Sequence, residues 1–175
     1  MFIRSATPDD AERLASIHVE AWRSAYRGQM PDAYLDALSV QDRVDVWRRL
    51  LADTTASIAI LVLVDGEQPI GFAYCTAQRT EPAGDLTGEL ASMYVDPPSW
   101  RRGGGRLLTA AAIEWFTTMA CRDATLWVLE TNTGPRRFYE ALGWKRDGSR
   151  KPIELGGRDL VEVRYRLVLS PGQVP

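Results

Sequence analysis

The six residues Arg101-Arg102-Gly103-Gly104-Gly105-Arg106 carry the most chemically specific pattern in this 175-residue sequence. Consecutive glycines let the backbone approach a ligand closely and aim several N–H groups at one point, while arginines surround that point with full positive charge. An apolar helical pattern (Leu108, Ala111, Ala112, Trp115, Met119) follows at once, so the glycines would open a helix whose dipole adds to the field. The guest implied is a phosphate or pyrophosphate; the competing reading is a glycine-rich loop with solvated arginines. Two familiar nucleotide loops do not fit. A P-loop needs Lys-Ser or Lys-Thr after its last glycine, where Arg106-Leu107 stands. A Rossmann turn holds its glycines tight against the strand end, whereas Asp96 to Gly103 intervene after Val95.

The elements that would position this loop follow from periodicity. Phe2 to Arg4 reads as a short strand, and Thr7-Pro8-Asp9-Asp10 as a helix start with Thr7 as the capping hydroxyl. Leu14, Ile17, His18, Ala21, Trp22 and Ala25 continue that helix; further helical pieces begin at Pro31 and near Val40. Ile58 to Val64 and Ile70 to Ala77 form a hairpin about Asp65-Gly66, Gln78 to Leu86 is a polar connection, and Thr87 to Val95 is the next strand. In that strand, alternation groups Glu89, Ala91 and Met93 on one face and Leu90, Ser92 and Tyr94 on the other. After the helix from Gly104 come a strand at Ala124 to Leu129, a short helix capped by Gly143, and two strands joined near Gly156-Gly157. The order predicts a mixed α/β (α+β) sheet with flanking helices in one domain, residues 1–169, and a frayed tail, 170–175.

Composition narrows the class. A formal charge of −2 gives no global field for a polyanion, which disfavours a nucleic-acid partner despite Arg136 and Arg137 joining the loop arginines. The run Ile58 to Val64 is far too short to span a bilayer, and the polar turn after Ile3 leaves no hydrophobic region for a secretory signal. Cys75 and Cys121 lack paired spacing and one histidine does not suit zinc, so the expectation is a cytoplasmic protein with no metal and no membrane partner.

The loop and its flanks resemble the GNAT superfamily of acetyl-CoA-dependent N-acetyltransferases. Trp100 to Gly105 matches its signature of Gln or Arg, two residues, Gly, one residue, Gly or Ala, except that Trp100 replaces the polar first residue and Gly104 adds a third glycine. Glu89, Leu90, Met93, Tyr94, Val95, Asp96 and Pro97 look like the family's fourth strand; Leu126 to Leu129, Asn132, Phe138, Tyr139, Gly143 and Trp144 look like its fifth strand and next helix. The resemblance implies a sheet of about seven strands splayed between the fourth and fifth. It implies acetyl-CoA as donor, held by backbone near Met93, Tyr94 and Val95, by the loop residues Arg101, Arg102, Gly103, Gly104, Gly105 and Arg106, and by Asn132 and Tyr139. It assigns Glu89 as general base and Tyr139 as general acid, with Phe138 packed inward, and extends to a homodimer.

The acceptor would be a primary amine of a small molecule or peptide. Deprotonating an alkyl amine of pKa near 10.4 at pH 7 costs roughly 4.6 kcal/mol, which is the reason for a base. Trp22, Tyr26 and Tyr34 fall in the early helical block that would wall the acceptor pocket, although helical spacing alone places them in the core. His18 reads as a satisfied core histidine. Glu81, Asp85, Glu89 and Asp96 give the region an acidic cast suited to a cation. A non-catalytic acyl-CoA-binding module using the same loop is the alternative from another class.

Overall fold

The apolar run at Ile58 is a strand buried on both faces, and the rest of the chain supplies the two covers. The structure, a computed structural model, describes residues 1–52, 55–79 and 84–169. Its strands are β1 (Phe2–Ser5), β2 (Ile58–Asp65), β3 (Gln68–Arg79), β4 (Leu86–Val95), β5 (Asp123–Leu129), β6 (Lys145–Leu155) and β7 (Arg158–Val168). Its helices are α1 (Ala11–Ala25), α2 (Asp32–Asp36), α3 (Val40–Ala52), α4 (Gly104–Thr118) and α5 (Thr133–Ala141). The strands form one seven-stranded sheet in the order β1-β2-β3-β4-β5-β7-β6. Neighbours are antiparallel except β4 and β5, which run parallel and are joined through α4. The mixed sheet with flanking helices is the one expected. Glu81 and the tail lie outside the described residues.

Because strand side chains alternate, β2 feeds two cores. Ile60, Val62 and Val64 pack with Leu14, Ile17, Val44, Trp47 and Phe72 under α1 and α3, while Leu63 packs with Leu108, Ala112 and Phe116 under α4. A third cluster of Met30, Leu35 and Leu129 seats α2 on the same face as α1. The start of α1 differs in detail from the expectation. Pro8–Asp10 is a 3-10 turn in which Thr7 and Asp10 form a capping box, the Asp10 carboxylate accepting the Thr7 N–H at 2.7 Å and the Thr7 hydroxyl at 3.1 Å. Asp10 also accepts both Arg4 guanidinium nitrogens at 2.7 Å, which pins β1 to α1 and holds its carboxyl below the usual range.

Two irregularities of β4 shape the site. Tyr74 opposes Ser92 but Cys75 opposes Leu90, so Ala91 is the extra residue of a β-bulge. The bulge overturns the simple alternation expected along this strand. Leu90 and Met93 both face the α4 core, while Tyr94 faces the α1 side. Glu89, the neighbour of Leu90, therefore shares the α1–α2 face with Tyr94 and not with Met93. The second irregularity is that β4 pairs with β5 only at Thr87, Gly88 and Glu89, opposite Asp123, Ala124 and Thr125. Beyond that point the two strands part, as expected, and among the described residues their facing edges have no strand partner.

The unexpected third glycine is a packing requirement. Gly104 is buried at the start of α4, and a Cβ there would lie 2.5 Å from Leu63 Cδ2 in the core. Gly104→Ala forces that core side chain to move, costing about 1–3 kcal/mol against a helix-propensity gain of about 1 kcal/mol. Gly134 in α5 has nothing within 4 Å of such an atom. Thermal denaturation should show Gly104→Ala lowering Tm by a few degrees and Gly134→Ala leaving it unchanged or raised; equal responses would contradict the packing role.

Candidate active site

The parting of β4 and β5 opens a cleft of about 1080 Å³. The glycine loop forms one end. Pro97–Ser99 is a 3-10 turn, Arg101 takes φ +62°, and Gly103 takes φ +90° as the residue before α4, a left-handed conformation that glycine adopts without strain. The first amides of α4 have no acceptor within the helix and lie beside the cleft, the arrangement that binds anions. Arg101 and Arg106 line the cleft with Gly103, Gly104 and Gly105. Arg102 does not: its guanidinium pairs with Asp65 at 2.8 Å in the β2–β3 turn, so the charge at the loop comes from two arginine side chains and not three. Trp100 turns its indole N–H onto the Val95 carbonyl at 2.6 Å, fastening the loop to the last residue of β4.

The middle of the cleft runs between the parted strands. Met93, Tyr94 and Val95 form one wall and Leu126 to Leu129 the other. Asn132 is nearly buried at the head of α5, yet its side chain caps no helix amide, so the amide group is left to the cleft. Tyr139 is 8% exposed and lines the same space; burial, reinforced by neighbouring Tyr26, pushes its hydroxyl well above the ordinary tyrosine range. Phe138 packs against Gly105, where an added Cβ would meet its ring at 3.2 Å, so it faces the loop as well as the core. Glu89 lies half-buried on the cleft wall, and its carboxylate makes no ion pair or hydrogen bond among the described residues.

Trp22, Tyr26 and Tyr34 close the opposite end, and all three line the cleft instead of lying wholly in the core. Trp22 and Tyr26 stack edge to face at 5.2 Å, and burial beside Tyr26 raises the Tyr94 hydroxyl. Tyr34 sits under the β6–β7 turn, where a Cβ on Gly156 would meet its ring at 2.7 Å. The acidic cast takes a different form from that expected. Asp85 pairs with Arg122 at 2.8 Å and Asp96 pairs with Arg13, which leaves Glu89 and an unforeseen residue, Glu162, as the carboxylates of the cleft. Trp127 and Lys151 were missed with it. Alternation along the final hairpin was the signal available, since Lys151, Ile153 and Leu155 share one face.

His18 is half-buried and lines the cleft beside Trp22 and Arg43, so it is neither wholly core nor satisfied, contrary to expectation. Four aromatic rings surround it at 5.0–6.3 Å and its buried Nδ1 has no partner. Among the described residues no group of three His, Cys, Asp or Glu could hold a metal, and no helix is long and apolar enough to cross a membrane.

Comparison with known proteins agrees with this geometry. The model of the acetyltransferase (GNAT) family matches residues 11–144. The chain belongs to the acetyltransferase (GNAT) family. It is 29% identical over 162 residues to the uncharacterized N-acetyltransferase YuaI of Bacillus subtilis (strain 168), covering 92% of this chain and 89% of that one. It is 30% identical over 128 residues to an aminoglycoside N(6')-acetyltransferase type 1 of Stenotrophomonas maltophilia, covering 69% and 71%. The PaiA N-acetyltransferase of Thermoplasma acidophilum, solved in complex with coenzyme A, shares the fold with a TM-score of 0.72 at 20% identity, over 92% of this chain and 96% of that one. As a GNAT protein the chain is an N-acetyltransferase, and acetyl-CoA is its donor.

Burial, with a smaller effect of Arg43, depresses His18 to about 3 from the ordinary 6.5. The folded form thus holds His18 neutral while the unfolded chain takes up a proton below 6.5, so stability falls as pH drops from 6.5 towards 3. Between pH 7 and 5 the loss from this group is about 1–2 kcal/mol. Urea unfolding at both pH values should show that loss in the native sequence and a flatter dependence in His18→Gln; an identical slope would remove His18 as the cause.

Proposed function

We propose that this GNAT protein transfers the acetyl group to a primary amine of a small molecule or peptide by direct attack, with Glu89 as general base and Tyr139 as general acid. The observation that carries the reading is the gap between β4 and β5, which leads from the glycine loop at one end to Glu89, on the acceptor face, at the other. The amides of Gly103, Gly104 and Gly105 with Arg101 and Arg106 would hold the donor's pyrophosphate, and Arg102 would help through its backbone. The free edge of β4 at Met93, Tyr94 and Val95 would hydrogen-bond the donor's amide-containing arm as an added strand does, with Asn132 reaching it from α5. That edge also supplies a backbone N–H for negative charge developing on the acetyl oxygen.

Glu89, unpaired in the cleft, is available to take the proton that a protonated acceptor must lose. Tyr139 is held as a neutral hydroxyl by its burial, so it carries a proton to give to the departing thiolate. Cys75 offers no covalent route: it is fully buried in β3 and burial pushes its thiol up to about 12. Attack therefore runs from the amine nitrogen to the thioester carbon, with the C–S bond breaking and Tyr139 protonating sulfur. The aminoglycoside and other N-acetyltransferase names among the relatives support an amine acceptor. Two free, buried cysteines fit a cytoplasmic setting.

Thiol release from acetyl-CoA, measured across a panel of amines and peptides, tests the reading. Glu89→Gln should lower kcat at pH 7 by about 10²-fold or more and lose less at high pH, where the amine sheds its proton unaided. Tyr139→Phe should lower kcat by about tenfold or more with coenzyme A affinity unchanged. Unchanged turnover in either variant strikes that residue from the mechanism. A thermal shift with coenzyme A but no thiol release with any amine would favour a binding module instead.

A further inference from the structure

The acceptor end of the cleft already contains a bound primary ammonium, and it belongs to the protein. Lys151 on β6 reaches over the Trp127 ring of β5, with Nζ 4.5 Å from the ring centroid, and pairs with the Glu162 carboxylate of β7 at 2.9 Å. The three residues come together because β7 lies between β5 and β6: Leu129 opposes Glu162, and Glu162 opposes Lys151. An aromatic face with a carboxylate beside it is a recognition site for an alkylammonium group. All three residues line the cleft.

Lys151 is a replaceable occupant. Its side chain is 46% exposed and has one ion-pair partner, so its hold on Glu162 is of the weak, solvent-screened kind. Arg164 also approaches the Trp127 ring, at 5.6 Å, but it is anchored by Asp147 at 2.6 Å and cannot leave as readily. The subsite stands on the same face of the sheet as the candidate base. Glu89 is in register with Thr125, and Trp127 lies two residues further along β5, on the same side.

We infer that Trp127 and Glu162 form an ammonium subsite, filled at rest by Lys151, that receives a second, non-reacting cationic group of the acceptor. The acceptor class is then an aliphatic diamine or another amine with two separated ammonium groups. This rests on the amine-transfer reading, which it deepens. A monoamine leaves the Lys151–Glu162 pair intact and gains nothing from the subsite. A diamine exchanges one ammonium for another without leaving Glu162 bare, and gains a second anchor.

Calorimetric binding to the coenzyme A-loaded protein decides it, using α,ω-diaminoalkanes of three to six carbons against 1-aminoalkanes of equal length. The native protein should bind a diamine about tenfold more tightly than its monoamine. Lys151→Met, which removes the internal competitor, should tighten diamine binding further by about threefold. Glu162→Gln, with coenzyme A binding retained as proof of folding, should bring the diamine down to the level of the monoamine. Equal affinities for diamine and monoamine in both the native protein and Lys151→Met overturn the inference, as does a diamine preference that survives Glu162→Gln. Thiol release measured in parallel separates the two readings: intact diamine preference without acetyl transfer defeats the proposed reaction and leaves the subsite standing, while monoamine turnover without preference does the reverse.

Discussion

Everything at the site depends on three residue pairs holding β4 to β5 and the next ones letting go. Thr87, Gly88 and Glu89 pair in parallel with Asp123, Ala124 and Thr125, and beyond them each strand keeps only its outer neighbour. A strand edge inside a protein ordinarily demands a partner, because unpaired backbone groups away from water are costly. Here the edges face a cleft, where an extended ligand can serve as the missing strand. The paired stub is what fixes the angle of opening. Phe116 of α4 packs flat against Gly88 at that stub, where a Cβ would fall 2.4 Å from its ring, so a larger residue would wedge the helix from the sheet just where the strands must stay together.

The charges are organised around the same opening. An excess of arginine over lysine looks in composition like a loose preference for anions, yet most of these guanidiniums are committed to the frame. Arg4 ties β1 to the turn before α1 through Asp10, Arg13 holds Asp96 at the end of β4, and Arg102 holds Asp65. The last two brace the segment Asp96 to Gly103 from both sides, with Trp100 bonded to Val95 between them. This bracing leaves Arg101, Arg106 and the α4 amides as the positive end of the cleft. At the other end the Glu89 carboxylate stands unpaired among the described residues, while Glu162 is offset by Lys151 at 2.9 Å and Arg43 joins the lining. The net charge of −2 therefore conceals a concentration of positive charge at the loop end of the cleft, which a count of residues does not register.

The sheet and the loop were legible in the sequence because their signals are local. Period-two alternation, the Asp65-Gly66 turn and the Gly143 cap each act within a few residues, and the first five strands formed within two residues of their expected limits. The resemblance of Trp100 to Gly105 and its flanks to the GNAT pattern added the splay, which periodicity alone does not contain. What local reading lost was orientation. One extra residue at Ala91 exchanges the faces of everything after it, so correct strand limits gave the wrong partner for Glu89. The same blindness made Arg102 a ligand-facing charge, when its partner sits thirty-seven positions earlier in a different turn.

The acceptor end was the least legible, and the reason is topological. Glu89, Trp127, Glu162 and Lys151 come from β4, β5, β7 and β6, and the last two strands enter the sheet in reversed order. Had β6 followed β5 directly, Lys151 would stand beside β5 with its own strand's register, and Glu162 would lie one strand further out. The reversed order instead inserts Glu162 between Trp127 and Lys151, so that a cation, its carboxylate and its aromatic platform meet. No spacing rule along the chain announces such a meeting, since it depends on which hairpin strand docks first. In the proposed reading the backbone edge of β4, the glycine turn and the start of α4 that would hold the donor follow one another in sequence, with Asn132 added from α5. The proposed acceptor contacts come instead from four strands and the helices packed on them, so in such a fold they can change through side chains alone while the donor half stays fixed.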